Sequence, residues 1–370
     1  MKRKAEGLSA EERAVVRLPE QTSALPKGAR NLFDRIYRVN RTIGRLNPPE
    51  AMHDWIRRHF GSLEAVERQT IVKITNQVTL EEALFNELRA SRPVETRRSG
   101  DLLQEIAQSA GDPFCHPLEG TPEDVFGRIE GAHSITASNV AKYDAYHGLV
   151  VFDKHNPLEI SELAVRDYLD VGYRWAERAL KADPEAKYYF FMWNALWRSG
   201  ASIVHGHAQV ASTQGAHYSK VEHLRRSALN YRLFNGTNYF DDLVRVHKAL
   251  GLALSYQGVS VLVNLTPVRE KEVLLISFSL SGSLAGAIYR VLDCMLTQLG
   301  VSSFNLAIYM PPLSQTPEDW SGFPYVTRIV DRGNPAARTS DVGAMELFAS
   351  PVTTTDPFRV IEPLRQRFLR

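Results

Sequence analysis

The 370-residue sequence predicts an α+β fold made of two related antiparallel-sheet-and-helix halves behind an N-terminal helical extension. Three observations carry this expectation. From His147 onward, apolar runs and one amphipathic stretch follow in the order strand, helix, strand, strand. A strand, a helix and two further strands recur in that order from Glu272. The first 68 residues, by contrast, are charged and helix-prone. The expected organisation is therefore an extension over 1–68, a first half over 69–215 and a second half over 216–370.

Each element follows from local pattern. NLFDRIYRVNRTIGRL (31–46) and EAMHDWIRRHF (50–60) carry apolar residues at helical spacing and are separated by Pro48-Pro49. QTIVKITNQVT (69–79) is rich in β-branched residues and predicts a strand. The basic segment 88–100 holds Arg89, Arg92, Arg97 and Arg98, by pattern a solvated loop, and 111–131 is a loop excursion rich in proline, glycine and acids. HGLVVFD (147–153) predicts a strand ended by Asn156-Pro157. A helix over 160–181 buries Val165, Leu169, Trp175 and Ala179, and two strands, 188–194 and 201–212, follow Asp183-Pro184. In the second half, strands at 272–280, 303–312 and 325–333 flank a helix at 284–300 that ends on a glycine. Residues 339–351 predict a turn and a short apolar segment.

Composition narrows the function. Hydrophobic residues make up 44% and charged residues 23%, an ordinary globular balance. The net charge of +2 opposes an electrostatic grip on nucleic acid by the whole surface. Cys115 and Cys294 are too few for a disulfide framework or a cysteine-only zinc module, so a reducing cytoplasm is expected. The N-terminus lacks the apolar core of a secretory signal, and no apolar run approaches a membrane span.

The segment SGASIVHGHAQVAS (199–212) carries the chemistry. A strand over Ile203–Val210 would turn His205, His207 and Gln209 to one side and Val204, Gly206, Ala208 and Val210 to the other. Three polar groups in a row are costly to bury without partners. A His-x-His strand serves two chemistries: both imidazoles can ligate one metal, as in metallohydrolases, or one can attack phosphorus as a nucleophile. A structural histidine pair is the third reading. Gln209 favours the nucleophile, since a neutral amide suits a phosphate oxygen and seldom ligates zinc.

This segment resembles the active-site strand of the galactose-1-phosphate uridylyltransferase branch of the histidine-triad superfamily, which also holds dinucleoside tetraphosphate phosphorylases and nucleotide-sugar phosphorylases. The resemblance implies a histidine-triad-like fold and a nucleotidyltransferase working through a nucleotidyl-histidine. In that reading His207 is the nucleophile, Gln209 binds the transferred phosphate and Ser202 contacts substrate phosphate. LRASRPV is similar to the family's Arg-x-x-Arg-Pro segment and assigns Arg89 and Arg92 to substrate phosphates. YFFMWNALWRSGAS resembles the strand that supplies an asparagine, here Asn194, and VGAMELF is similar to a C-terminal segment whose glutamate would be Glu346.

The family's structural zinc is held by Cys-x-x-Cys and two histidines; here Asp112 and Cys115 stand at the cysteine pair, with His155 and His205 at the other positions. The family's second, iron-type site would align with FNLAIYMPP, where Asn305 and Ala307 offer no imidazole. The implied partners are a nucleotide sugar or dinucleotide and a phosphorylated acceptor, in a homodimer, with neither nucleic acid nor membrane. Phosphorolysis or hydrolysis of the nucleotide link is the alternative on the same fold. The remaining histidines, His53, His59, His116, His133, His217, His223 and His247, lack partner spacing and predict surface or locally hydrogen-bonded roles; His147 leads a strand that could lie near the site.

Overall fold

The computed structural model describes residues 13–93 and 101–369, so Arg97 and Arg98 of the basic segment lie outside the described residues. Nine strands form the central sheet: β4 (Ser134–Ser138), β5 (Tyr146–Phe152), β6 (Tyr188–Ala195), β7 (His207–Thr213), β8 (Ala253–Tyr256), β9 (Val259–Val263), β10 (Val273–Ser277), β11 (Phe304–Tyr309) and β12 (Tyr325–Asp331). Their order is β4-β5-β7-β6-β11-β12-β10-β9-β8, antiparallel throughout. The two halves meet where β6 pairs with β11, and Asn194 stands opposite Asn305 at that seam. From the seam outward the halves mirror each other, β6-β7-β5-β4 on one side and β11-β12-β10-β9 on the other.

One face of this sheet is apolar because alternate residues demand it. Val150, Phe152, Ala208, Val210, Phe191, Trp193, Leu306 and Ile308 are buried there. The helix Glu162–Ala182 packs its Val165, Tyr168, Leu169, Trp175 and Ala179 stripe against the first half. The helix Gly282–Thr297 packs Leu284, Ile288, Val291 and Met295 against the second half and touches its counterpart. The opposite face keeps the polar residues, which is what positions the site.

A smaller sheet, β1-β2-β3-β13, joins β1 (Tyr37–Arg45), β2 (Arg68–Asn76), β3 (Glu82–Phe85) and β13 (Val352–Thr353). It corrects the helical reading of 31–46: the helix Lys27–Ile36 stops and the chain extends from Tyr37. Cross-strand pairing decides this, because all nine residues of β1 pair with β2, setting Val39 against Ile74 and Ile43 against Thr70. The extension thus shares a sheet with residues 69–215. Arg328 of β12 ties this sheet to the central one through Glu81, at 2.5 Å, and the buried Glu272, at 2.6 Å.

One further expectation changes. The strand expected from Ile203 begins only at His207. Gly206 lies so close to Phe152 and the Lys154 carbonyl that a Cβ there would come within 3 Å of both, and its N–H and C=O are taken by His155 and Phe152. The topological counterpart of β7 in the second half is β12, the strand next to the seam partner β11. Neither β11 nor β12 contains a histidine. Among the described residues, no helix is long and apolar enough to cross a membrane.

Candidate active site and metal centre

His207 and Gln209 project from β7 on the polar face. Continuing the register of β6 with β7 by one residue places Asn194 beside His207, so His207, Asn194 and Asn305 form a row across the seam. His207 is 5% exposed and its ring meets the edge of Phe114 at 5.1 Å. Its Nδ1 lies 2.8 Å from the His205 carbonyl oxygen, an obligate acceptor, so Nδ1 carries the proton and Nε2 keeps its lone pair. Burial pushes this imidazole below the ordinary histidine value, and the carbonyl contact opposes that only in part. A neutral imidazole with a free Nε2 is a nucleophile's configuration. The backbone of His205, and not its ring, holds the tautomer.

The ring of His205 turns instead to a second cluster. Asp112, Cys115, His155 and His205 each bring one ligand atom within 4.8 Å of the others. The two Nδ1 atoms stand 3.2 Å apart, and Cys115 Sγ lies 3.5 Å from each. Asp112 Oδ2 is 3.4 Å from His155 Nδ1. Ligands about 2.0–2.3 Å from a tetrahedral zinc are themselves about 3.3–3.8 Å apart, so the spacings fit. Proton bookkeeping agrees. His155 Nε2 donates to the Ile106 carbonyl at 3.0 Å and His205 Nε2 to the Phe152 carbonyl at 2.9 Å. Both Nδ1 lone pairs therefore face each other, an arrangement that a cation relieves and that backbone carbonyls orient. The Gly111 N–H also donates to Cys115 Sγ at 3.3 Å. This donor set fits a divalent metal.

The geometry separates the two histidines of the His-x-His motif. His205 belongs to the ligand cluster and His207 does not, so the two do not converge on one metal. Other expected residues fall in different places. Ser202 is exposed on the irregular segment before β7. Arg89 and Arg92 are exposed and line a cavity of about 450 Å³ with Pro48, Trp55 and Gln69, which does not include the residues around His207. Glu346, on the short helix Ala344–Phe348, accepts the Gly343 N–H at 2.8 Å. It lines a cavity of about 730 Å³ whose walls include Asn305, Arg328 and Arg332.

Residues that motif reading passed over complete the polar face. His147, fully buried on β5, reaches Gln209 with Nε2 to Oε1 at 2.9 Å. Its position at a strand start was the only sequence signal. Asn305 donates to Asn194 Oδ1 at 2.5 Å and to the Ser199 carbonyl at 2.9 Å. Arg332 donates to Asn305 Oδ1 at 2.5 Å and forks onto Asp341 at 2.7 and 3.0 Å. Leu196, just after Asn194, holds a φ of +69° that side chains other than glycine seldom adopt, as the chain turns from β6 toward β7.

No family model matches the chain. A protein of Archaeoglobus fulgidus described as uncharacterized is 27% identical over 161 residues, 41% of this chain and 48% of that one, so the match spans about half of that relative's length. Among solved structures, an ADP-glucose phosphorylase of Arabidopsis thaliana with bound ADP-glucose matches with a TM-score of 0.59 at 16% identity, over 78% of this chain and 96% of that one. A uridylyltransferase matches with a TM-score of 0.55 at 14% identity, over 80% of this chain and 98% of that one. The mirrored halves, the helix pair on one face and the likeness to these structures together give this chain an α+β, histidine-triad-like fold shared with them.

Proposed function

We propose that the protein is a nucleotidyltransferase that takes a nucleoside monophosphate from a nucleoside diphosphate sugar onto His207 and passes it to a phosphorylated acceptor. The observation that carries this reading is the His207 tautomer: Nδ1–H is engaged by the His205 carbonyl, which leaves Nε2 unprotonated in a buried setting. Nε2 attacks the α-phosphorus, an N–P bond forms and the bond to the bridging oxygen breaks, so the sugar 1-phosphate leaves. The His205 carbonyl steadies the positive charge that the ring acquires. A phosphate oxygen of the acceptor then attacks the same phosphorus, and the N–P electrons return to Nε2. Gln209 and Asn194 donate to the non-bridging oxygens as charge develops there, with Ser202 contacting substrate phosphate. Arg89, Arg92 and Glu346 are assigned to substrate by resemblance.

Asp112, Cys115, His155 and His205 would hold a structural zinc, which fixes the backbone on which His207 leans. A homodimer is the assembly that the resemblance implies. Two free thiols, Cys115 and Cys294, suit the cytoplasm. Incubation with α-³²P-labelled UDP-glucose or ADP-glucose tests the reading: covalent label is expected on the wild type and not on His207→Ala. A wild type that stays unlabelled, or a variant labelled equally, overturns it.

The likeness to an ADP-glucose phosphorylase supports a second reading, in which orthophosphate replaces the phosphorylated sugar as acceptor. The first half-reaction is then unchanged. Chasing the labelled enzyme with phosphate, with galactose 1-phosphate or with buffer alone separates phosphorylase, transferase and hydrolase by what carries the label away.

A further inference from the structure

We propose that two hydrogen-bond relays, each beginning at an obligate donor, fix the polarity of Asn194 and Gln209 so that both present N–H groups to the transferred phosphate; this rests on the nucleotidyl-His207 reading. A side-chain amide is ambiguous by itself, since it can offer either its oxygen or its nitrogen. Presented the wrong way round, it would set a carbonyl dipole against a phosphate oxygen. Something must choose.

At Asn194 the choice is made from the second half. A guanidinium can only donate. Arg332, anchored by its fork onto Asp341, donates through Nη1 to Asn305, which must therefore turn its Oδ1 toward Arg332. Asn305 Nδ2 then faces the other way and donates to Asn194 Oδ1 and the Ser199 carbonyl. With its oxygen consumed on the Asn305 side, Asn194 retains Nδ2 for the side on which register places His207.

At Gln209 the chooser is a backbone amide. The Tyr143 N–H donates to His147 Nδ1 at 2.9 Å, while the Tyr143 ring stacks on the imidazole at 4.3 Å. Nδ1 is thus an acceptor, and the proton of neutral His147 sits on Nε2. That N–H donates to Gln209 Oε1 at 2.9 Å, leaving the Gln209 nitrogen free to donate. Asn139 Nδ2 approaches the same Nε2 at 3.4 Å, too far to compete with the shorter contact. His147, Asn305, Arg332 and Asp341 are accordingly positioning residues, and none is required to touch substrate.

Asn305→Asp is the sharpest test because it keeps the shape and reverses the polarity. The carboxylate still accepts from Arg332, but it now also demands a donor from Asn194, which must turn its oxygen toward the phosphate. Single-turnover labelling with ³²P UDP-glucose or ADP-glucose is expected to slow by about 10–100-fold at saturating nucleotide, read below the melting temperature, which falls because the Ser199 carbonyl loses its donor. His147→Phe is expected to slow it by a similar factor. The diagnostic reading is coupling: in an Asn194→Ala background Asn305→Asp should cost nothing further, and in a Gln209→Ala background neither should His147→Phe. An Asn305→Asp enzyme labelled at the wild-type rate overturns the relay, as does a penalty that persists undiminished in the Asn194→Ala background. A wild type that takes no label from either nucleotide removes the nucleotidyl reading, and the relay with it.

Discussion

The two halves of the central sheet share a topology and differ in chemistry. A two-fold rotation at the Asn194–Asn305 pair of the β6–β11 seam sets Asn194 on Asn305, His207 on Val330 and Gln209 on Arg332, whose N–H pairs with the Ser303 carbonyl. The first half has His207, the proposed nucleophile, with Gln209 and the Asp112, Cys115, His155 and His205 cluster. The second half has, at the matching places, an apolar side chain and a guanidinium pinned by Asp341. On the proposed mechanism this two-part scaffold separates tasks: one half supplies groups for reacting, and the other supplies fixed donors that orient them. The sheet makes this division natural, because two strand spacings, about 10 Å, separate β7 from β11 and a short polar chain bridges them.

The largest expected effect breaks the comparison at its centre. His207→Ala should lower covalent labelling by on the order of 10⁴-fold, whereas Val330→His, which places an imidazole at the mirrored position, should leave the double variant unlabelled. Label on Val330→His in the His207→Ala background would show that the halves differ only in that side chain. Next comes the metal. Chelation should lower the stability of the wild type by roughly 3–4 kcal/mol, read as a fall in melting temperature, and Cys115→Ala should lose stoichiometric zinc by elemental analysis. Among the described residues the second half has no such cluster, so Cys294→Ala should leave metal content untouched.

A smaller effect concerns two buried histidines, one following β7 and one on the helix Tyr239–Leu250 that leads to β8. Burial depresses both His217 and His247 to about 4. The unfolded chain takes up these protons near pH 6.5, while the folded chain resists until about 4. Between those values the unfolded state binds more protons, so stability is full above pH 6.5 and falls as the pH drops toward 4. Each group accounts for at most about 3 kcal/mol. His247→Phe should flatten the acid limb of a melting-temperature profile, and an unchanged limb would remove that assignment.

The smallest effect compares helix starts. Ser161 accepts the Ala164 N–H at 3.1 Å, while Ser281, at the start of the matching helix, makes no side-chain cap. Ser161→Ala should therefore cost about 1 kcal/mol in chemical denaturation and Ser281→Ala only a few tenths. Equal costs would erase this asymmetry.

Much of this was legible locally. The strands at 188–194 and 325–333 and the helical stripe from Val165 to Ala179 were recognisable because apolar residues bounded by turn signals mark them locally. Residues 37–45 were misread, since their helical spacing was overruled by a partner strand some thirty residues away. His147 and Arg332 escaped motif reading for a similar reason: neither lies beside a signature, and each acts on an amide from another strand.

The sequence by itself determined the sheet-and-helix order and, through a two-residue spacing, the pairing of His207 with Gln209, while the four ligand residues followed from the family resemblance. Only the tertiary structure decided which backbone carbonyl holds the His207 tautomer and which way the site's amides face. Tautomers and amide polarity are settled by hydrogen bonds to groups distant in the chain, and no spacing in the sequence records those partners.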